Sequence, residues 1–582
     1  MIDHKNFIQL SNNCKKDTKN FPKYNLALLG DCATQHLSIA LKGYAYINHL
    51  ALDIFEGGYN QILPNIINYD SEMYGFKPDA ILIFMCVENL YSAWCETPVK
   101  ERNEFAFKTV SNIYSYWNYI STNSSSVILQ LSFAEYDDFV FGNYACKHNS
   151  SFIFQLRKIN FLLMEECTEK NNVYFIDLCG IQSRVGRTNL FDPKLYFIAK
   201  MPISLNVLPL VAANIVNVIQ TLRGIVKKCI ILDLDNTLWG GIIGDDGLAG
   251  IQIGELGAGK VFSEFQIWLK ELKNRGILLA VCSKNTETTA KEPFEKHDEM
   301  ILRLDDFSVF IANWDDKATN IRHIQKSLNI GMDSFVFIDD NKFERDLVSS
   351  LIPEITVPNM PEDPAEYISY LQSLNLFETV SYSNEDSNRT EQYHAEAKRE
   401  ILRQQYADYD EYVQSLEMVS AVAPFEDFYI PRIAQLTQRS NQFNMRTIRY
   451  TESDIKLIME NPDKITLFFT LEDKLADYGL ISVVILERRE NKSLFIETWL
   501  MSCRVLKRGM EEFIMNKIFE TAKKQGYESV VGEYIRTPKN DIVANVYEKF
   551  CFIKMAENIF MLSINDYKLS KTFVKEKNYE SQ

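Results

Sequence analysis

Two carboxylates two positions apart, Asp233 and Asp235, stand where an apolar run at 227–232 passes into Asn236-Thr237-Leu238-Trp239-Gly240-Gly241. One carboxylate of such a pair can attack phosphorus while the other moves the proton that the leaving group needs. Three more polar groups follow in order, each behind an apolar run. Ser283 closes 277–282, Lys317 lies in Asn313-Trp314-Asp315-Asp316-Lys317, and Asp339-Asp340-Asn341 closes 335–338. Ligands of parallel α/β sheets bind beyond the carboxyl ends of the strands, so the pattern predicts that all of them share one rim. A single Asp-x-Asp behind a strand is usually a loop or a helix cap. Four such motifs in order point instead to phosphoryl transfer.

These residues resemble the haloacid dehalogenase (HAD) phosphatases, whose motifs are DxDx[TV], Ser/Thr, Lys and a terminal acidic pair. The resemblance implies that Asp233 is the nucleophile and Asp235 the acid and base. It implies that Ser283 and Lys317 hold the transferring oxygens, and that Asp233, the backbone carbonyl of Asp235 and Asp339 hold Mg2+. Asp340 is either a second ligand or an outer acceptor. Little chain separates these motifs, and one amphipathic helix through Val261, Phe265, Trp268 and Leu272 uses much of it. The domain is therefore expected to be uncapped, either open to large or carrier-bound substrates or covered by another domain of the same chain.

The elements that must position this site belong to a chain of 582 residues, too long for one core. Its net charge of −16 argues against nucleic acid and against a polybasic membrane contact. An acidic carrier protein needs a local basic patch, for which Arg432, Arg439, Arg446 and Arg449 are candidates. Eleven scattered cysteines without zinc spacing read as reduced thiols, with Cys86, Cys229 and Cys282 as core filler, and the absence of a signal core predicts a cytoplasmic protein.

Residues 1–222 alternate apolar runs, at 25–29, 79–87, 126–132 and 173–178, with helical patterns, which predicts a parallel sheet covered on both faces. The first run ends in Gly30-Asp31-Cys32-Ala33-Thr34-Gln35-His36. A thiol at the start of a helix is expected to have a lowered pKa, with His36 one turn away as a base. The block resembles the Gly-Asp-Ser nucleophile of SGNH hydrolases with Cys for Ser, and Asn89 is placed like that family's oxyanion-stabilising Asn. No histidine follows Asp192 where that family carries one, so Cys32 is expected to hold an acyl group rather than to hydrolyse one.

Residues 379–422 read as a linker with a solvated helix near 392–412, and 568–582 as a tail. Between them, 423–567 carry strand patterns at 466–470, 479–486 and 493–501, then Cys503-Arg504-Val505-Leu506-Lys507-Arg508-Gly509, then Asn545-Val546-Tyr547-Glu548-Lys549-Phe550. This region resembles GNAT acyltransferases. The resemblance implies that Arg504, Arg508, Gly509 and Asn545 hold the pyrophosphate of CoA or a phosphopantetheine arm.

The expected fold is thus multidomain α/β: an SGNH-like parallel domain (1–222), an uncapped HAD Rossmann-like domain (223–378) and a GNAT-like mixed domain (423–567). With Thr437-Gln438-Arg439-Ser440-Asn441-Gln442-Phe443-Asn444 in addition, the whole resembles FkbH-like proteins of the HAD-IIIC subfamily. That resemblance implies dephosphorylation of a 1,3-bisphosphoglycerate-like donor and transfer of a glyceryl unit to an acyl carrier protein in polyketide biosynthesis. A stand-alone Mg2+-dependent phosphatase and a non-catalytic carrier-docking protein are the alternatives.

Overall fold

The apolar runs of the N-terminal third become buried parallel strands, joined by an edge strand that the hydropathy pattern does not show. The computed structural model describes residues 6–382, 399, 402, 406, 408–537, 539–577 and 579. Strands β1 (Lys23–Gly30), β2 (Ala51–Glu56), β3 (Ala80–Phe84), β4 (Val127–Leu131) and β5 (Val173–Ile176) pair in the order β2-β1-β3-β4-β5, all parallel. β3 and β4 are buried throughout, whereas β2 is buried only at its first two residues and so lacks a continuous apolar signal. Helices α1 (Phe7–Asn13) and α2 (Gln35–Ile47) flank β1 in sequence. Residues 1–220 with 451–454 form one body, and 221–450 with 455–582 form a second.

In the second body, β6 (Cys229–Leu232), β7 (Leu278–Ser283), β8 (Phe307–Ala312) and β9 (Phe335–Ile338) form a parallel sheet in the order β8-β7-β6-β9. Alternate residues of β6 feed two cores: Ile230 and Leu232 face one cluster, and Cys229 and Ile231 face the other. Burial on both faces is why these strands read as unbroken apolar runs. Helix α3 (Gly257–Asn274) carries the predicted amphipathic face, α4 (Glu287–Lys296) follows β7, α5 (Lys317–Leu328) follows β8, and α6 (Lys342–Leu351) follows β9. No domain is inserted between these elements, as expected for an uncapped site.

The same body holds a nine-stranded mixed sheet of β10 (Val419–Ala423), β11 (Phe443–Asn444), β12 (Lys464–Asp473), β13 (Ala476–Arg489), β14 (Ser493–Met501), β15 (Ser529–Glu533), β16 (Ile553–Lys554), β17 (Ile559–Ser563) and β18 (Lys575–Lys577). Helix α7 (Ile430–Arg439) packs on one face and α8 (Met510–Lys524) on the other. Of the helix expected near 392–412, positions 392–398 lie outside the described residues, while Tyr409–Ser415 is helical. Among the described residues no helix is long and apolar enough to cross a membrane.

The loop behind β6 turns at Gly241, whose φ of +92° favours glycine, and a Cβ there would lie 2.7 Å from Asp246 Oδ2, the acceptor of the Ile242 N–H. Gly241→Ala is expected to cost about 1–3 kcal/mol by adding backbone strain to this contact, read as a lower urea midpoint at unchanged slope.

Candidate functional site

Each strand end brings one group to the rim. Asp233 follows β6, and its N–H donates to the Ile338 carbonyl of β9 at 3.0 Å, which locks the two acidic strand ends together. Lys317 is the first residue of α5, capped by Asp316. Its ammonium lies 2.6 Å from Asp339 Oδ2 and 3.0 Å from Asp233 Oδ1, and it is buried. Burial works against that charge, but Asp233 and Asp339 outweigh it and hold the ammonium above its ordinary range. Burial pushes the Asp339 carboxyl up to about 6, with Asp233 adding to the rise and Lys317 opposing it. Ser283 ends β7 as a buried residue on the same rim.

Oxygens of Asp233, Asp339 and Asp340 lie within 4.8 Å of one another. Three crowded carboxylate donors, more than one ammonium neutralises, fit a hard divalent cation such as Mg2+. The Asp340 carboxyl belongs to this group, one of the two roles expected of it. The Asp235 carboxyl is held by Trp239, Ile243 and Asn285, and the ligand role expected of Asp235 falls to its backbone carbonyl, not to this carboxyl.

Several supporting residues lie outside the expected site set, and of these Thr237 has a sequence signal as the last position of DxDx[TV]. Arg345, buried on α6, donates through Nη1 to the Asp339 and Asp340 carbonyls at 2.8 and 2.6 Å and so fixes the acidic turn. The Thr237 hydroxyl accepts the Asp340 N–H at 3.2 Å. Lys284 pairs with Glu344 at 2.6 Å, tying the loop after β7 to α6. Arg345 stands six residues beyond Asp339 on an amphipathic helix, outside every motif of the site.

In the first body the thiol expectation is corrected. Cys32 is buried, and burial, then the neighbouring Cys86 thiol and the Asp31 carboxylate, push its pKa well above the ordinary thiol range rather than below it. His36 does not meet it as a base in hydrogen-bond contact; its ring lies 5.6 Å from that of Phe7. The Asn89 amide donates to the Asp31 backbone carbonyl at 2.7 Å.

The nucleotide-arm expectation also changes. Arg508 is buried, donates to the Tyr478 hydroxyl at 2.9 Å and lies 3.7 Å from Asp473, the partner of Arg399. Gly509 does open α8 with a left-handed φ of +84°, but the Lys507 N–H donates to Glu511 Oε1 at 3.0 Å and Thr572 donates to the Gly509 carbonyl at 2.8 Å. Asn545 is exposed where the short helix Val546–Lys549 begins, and the side chain of Arg504 lies outside the described residues. The edge of β14 beyond Ile496, where β15 stops pairing, is taken by β11, with the Met445 N–H on the Trp499 carbonyl at 3.1 Å. An extended arm cannot add to an edge that the chain itself occupies.

The four arginines do not form an exposed patch either. Arg432 is buried against Gln435 and the Leu480 carbonyl, and Arg446 pairs with Glu533 at 2.7 Å. Arg439 donates to the Ser381 carbonyl at 3.0 Å. Arg449 donates to the Gln438 carbonyl and Asn441, and burial lowers its pKa to about 10.

A family model described as the FkbH N-terminal domain matches residues 25–220. A solved structure, the N-terminal part of the protein BF1531 from Bacteroides fragilis containing a phosphatase domain complexed with Mg, is 43% identical with a TM-score of 0.62. It covers 64% of this chain and 99% of its own. The ribosomal-protein-S18-alanine N-acetyltransferase from Escherichia coli matches 25% of this chain and 94% of its own, at 12% identity and a TM-score of 0.21. No curated protein matches the chain.

Lys317→Met is expected to leave three carboxylates uncompensated and to cost about 3–5 kcal/mol in urea unfolding without metal. Added Mg2+ is expected to restore part of that loss by ligation to the same oxygens, which a metal titration of the unfolding midpoint reads directly.

Proposed function

Because the chain belongs to the FkbH-like family, we propose that its four-stranded domain is a Mg2+-dependent phosphatase of the HAD type that acts on a phosphorylated three-carbon acyl donor, with the glyceryl or acyl unit passing to an acyl carrier protein thiol. The observation that carries the phosphatase reading is the Lys317 ammonium set 2.6 and 3.0 Å from Asp339 and Asp233, with Asp340 in the same group.

In this reading the donor carries both an alkyl and an acyl phosphate. Asp233 attacks the phosphorus of the alkyl phosphate and becomes an aspartyl phosphate, and Asp235 gives a proton to the departing alkoxide oxygen. Water then attacks the phosphorus, and Asp235 takes its proton. The carrier thiol attacks the carbonyl carbon of the intact acyl phosphate and expels inorganic phosphate. Lys317 and Ser283 hold phosphoryl oxygens and offset their growing charge. Asp233, Asp339 and Asp340 would hold Mg2+, whose contribution is to neutralise phosphate oxygens as a Lewis acid. Burial raises the Asp235 carboxyl above its usual range, opposed by its N–H donors, which suits a group that must carry a proton in the first half.

Transfer to the carrier rests on the family resemblance, and an uncapped rim suits a substrate tethered to a protein. Cys32, buried and with its pKa raised rather than lowered, is left out of this scheme as a way-station. A plain phosphatase without carrier acylation is the second reading, favoured by the filled β14 edge and the inward-turned Arg508.

Incubation with a 1,3-bisphosphoglycerate-like donor, Mg2+ and holo acyl carrier protein is expected to release the alkyl phosphate as inorganic phosphate and add a glyceryl mass to the carrier. Cys32→Ala is expected to retain both, and Asp233→Asn to lose release of the alkyl phosphate by at least about 1,000-fold. Phosphate without a carrier adduct selects the plain phosphatase; undiminished release by Asp233→Asn overturns both readings.

A further inference from the structure

We propose that Trp239, seconded by Asn285, is the positioning residue that holds the Asp235 carboxyl in place for proton transfer, a task that falls to the chain's own loops because no cap domain is inserted between the strands that carry this site. The inference rests on the phosphatase reading above.

The Asp235 carboxyl is met on both oxygens. Oδ1 accepts the Trp239 indole N–H at 3.0 Å and the Ile243 backbone N–H at 2.9 Å, and Oδ2 accepts an N–H of the Asn285 amide at 3.2 Å. The donors come from two places, the loop behind β6 and the loop behind β7, so the carboxyl is gripped by the ends of two adjacent strands. A lone aspartate beyond a strand end rotates about its side-chain bonds; donors from different directions remove that freedom.

Trp239 is itself immobile. It is fully buried, its ring stands edge-on to Phe294 with centroids 5.5 Å apart, and the backbone on both sides is pinned. The Leu238 carbonyl accepts from the Gln266 amide at 2.8 Å, and Gly240 exchanges N–H···O bonds with Gln252 at 3.0 and 2.8 Å. Packing asks only for a large apolar ring at this position, which phenylalanine would supply. The indole N–H, a donor with no acceptor capacity, is the part that packing does not require, and it is aimed at the one carboxyl whose place decides where a proton goes.

The chemistry gives the role a signature. As Asp233 forms its bond to phosphorus and the bond to the leaving oxygen breaks, the proton on Asp235 moves to that oxygen. In the second half, water forms the new bond to phosphorus, Asp235 takes the water's proton, and the Asp233–phosphorus bond breaks to give inorganic phosphate. In the first half, loss of Asp235 placement therefore hurts an alkyl phosphate, whose alkoxide leaves only with a proton, far more than an acyl phosphate, whose carboxylate leaves without one, while the second half is common to both.

The test compares full-length wild type and Trp239→Phe, with Asn285→Ala as a second variant, on glycerol 3-phosphate and on acetyl phosphate with Mg2+. Positioning predicts that Trp239→Phe lowers kcat/KM, which reads only the steps through departure of the leaving group, about 10-fold on the alkyl phosphate and less than about 2-fold on the acyl phosphate. Equal loss on both substrates, or no loss on either, overturns the proposal. A second measurement does not need activity: the indole N–H resonance of Trp239, identified by its absence in Trp239→Phe, is expected to move in Asp235→Ala. An indole resonance indifferent to Asp235 also overturns the proposal. A wild type that releases no phosphate from any substrate sinks the phosphatase reading, and the resonance still decides the Trp239–Asp235 contact.

Discussion

The second body depends on a buried ammonium that touches two carboxylates at once. Lys317 lies against Asp339 and Asp233 at hydrogen-bond distance in a site from which water is largely excluded. Taking any of these charges out of water alone costs several kcal/mol, and only their mutual proximity offsets it. The arrangement requires β6 and β9 to be direct neighbours, because Asp233 and Asp339 must reach one Nζ, and it requires α5 to start where β8 ends. Asp340 then adds negative charge that the lysine cannot neutralise, which leaves the cluster fitted to a divalent cation and to a phosphoryl group arriving beside it.

Supporting bonds spread outward from that centre. Arg345 fixes the turn carrying Asp339 and Asp340 by gripping its carbonyls rather than its carboxylates, so the arginine orders the turn without ion-pairing to its acids. Thr237 ties the loop behind β6 to the turn behind β9. The consequence is a rim whose backbone is braced from inside the domain, with no covering domain inserted in the sequence between its strands. Rigid support of this kind is what charge stabilisation in a transition state needs, since dipoles that must first reorganise contribute less.

The stretch 437–444, which a sequence reading associates with the family as a whole, acts as a joint between the two sheets of the second body. Lys228 reaches the Arg439 carbonyl at 3.4 Å, Asn441 reaches the Gly224 carbonyl at 3.4 Å, and a Cβ on Gly224 would sit 1.8 Å from the Gln438 carbonyl oxygen. Only glycine fits there, because its φ of +74° adds to the lack of space. The half-buried Arg439 and Arg449 satisfy carbonyls around this joint and Arg432 is buried, so residues that look like a carrier-binding patch in one dimension are struts in three.

The sequence by itself determined the order of strand and motif. Each polar group of the phosphatase rim follows an apolar run, and in a parallel sheet that order alone sends them to one edge, because all the strands point the same way. It also determined the three-sheet α/β architecture, since strands buried on both faces leave unbroken apolar runs. The solvated edge strand β2 escaped for the same reason, its outer residues facing water. What only tertiary structure decided is which side chains meet. Cys32 lies buried beside Cys86 because β1 and β3 are neighbours, and burial first, then that thiol, raises the pKa that a helix start was expected to lower. Arg508 turns inward because Tyr478 and Asp473 wait there, and β11 fills an edge that a strand pattern leaves open. Trp239 reads as core in the sequence, and as core it packs; that its one polar hydrogen points at Asp235 depends on rotamer and loop path, which residue spacing does not encode.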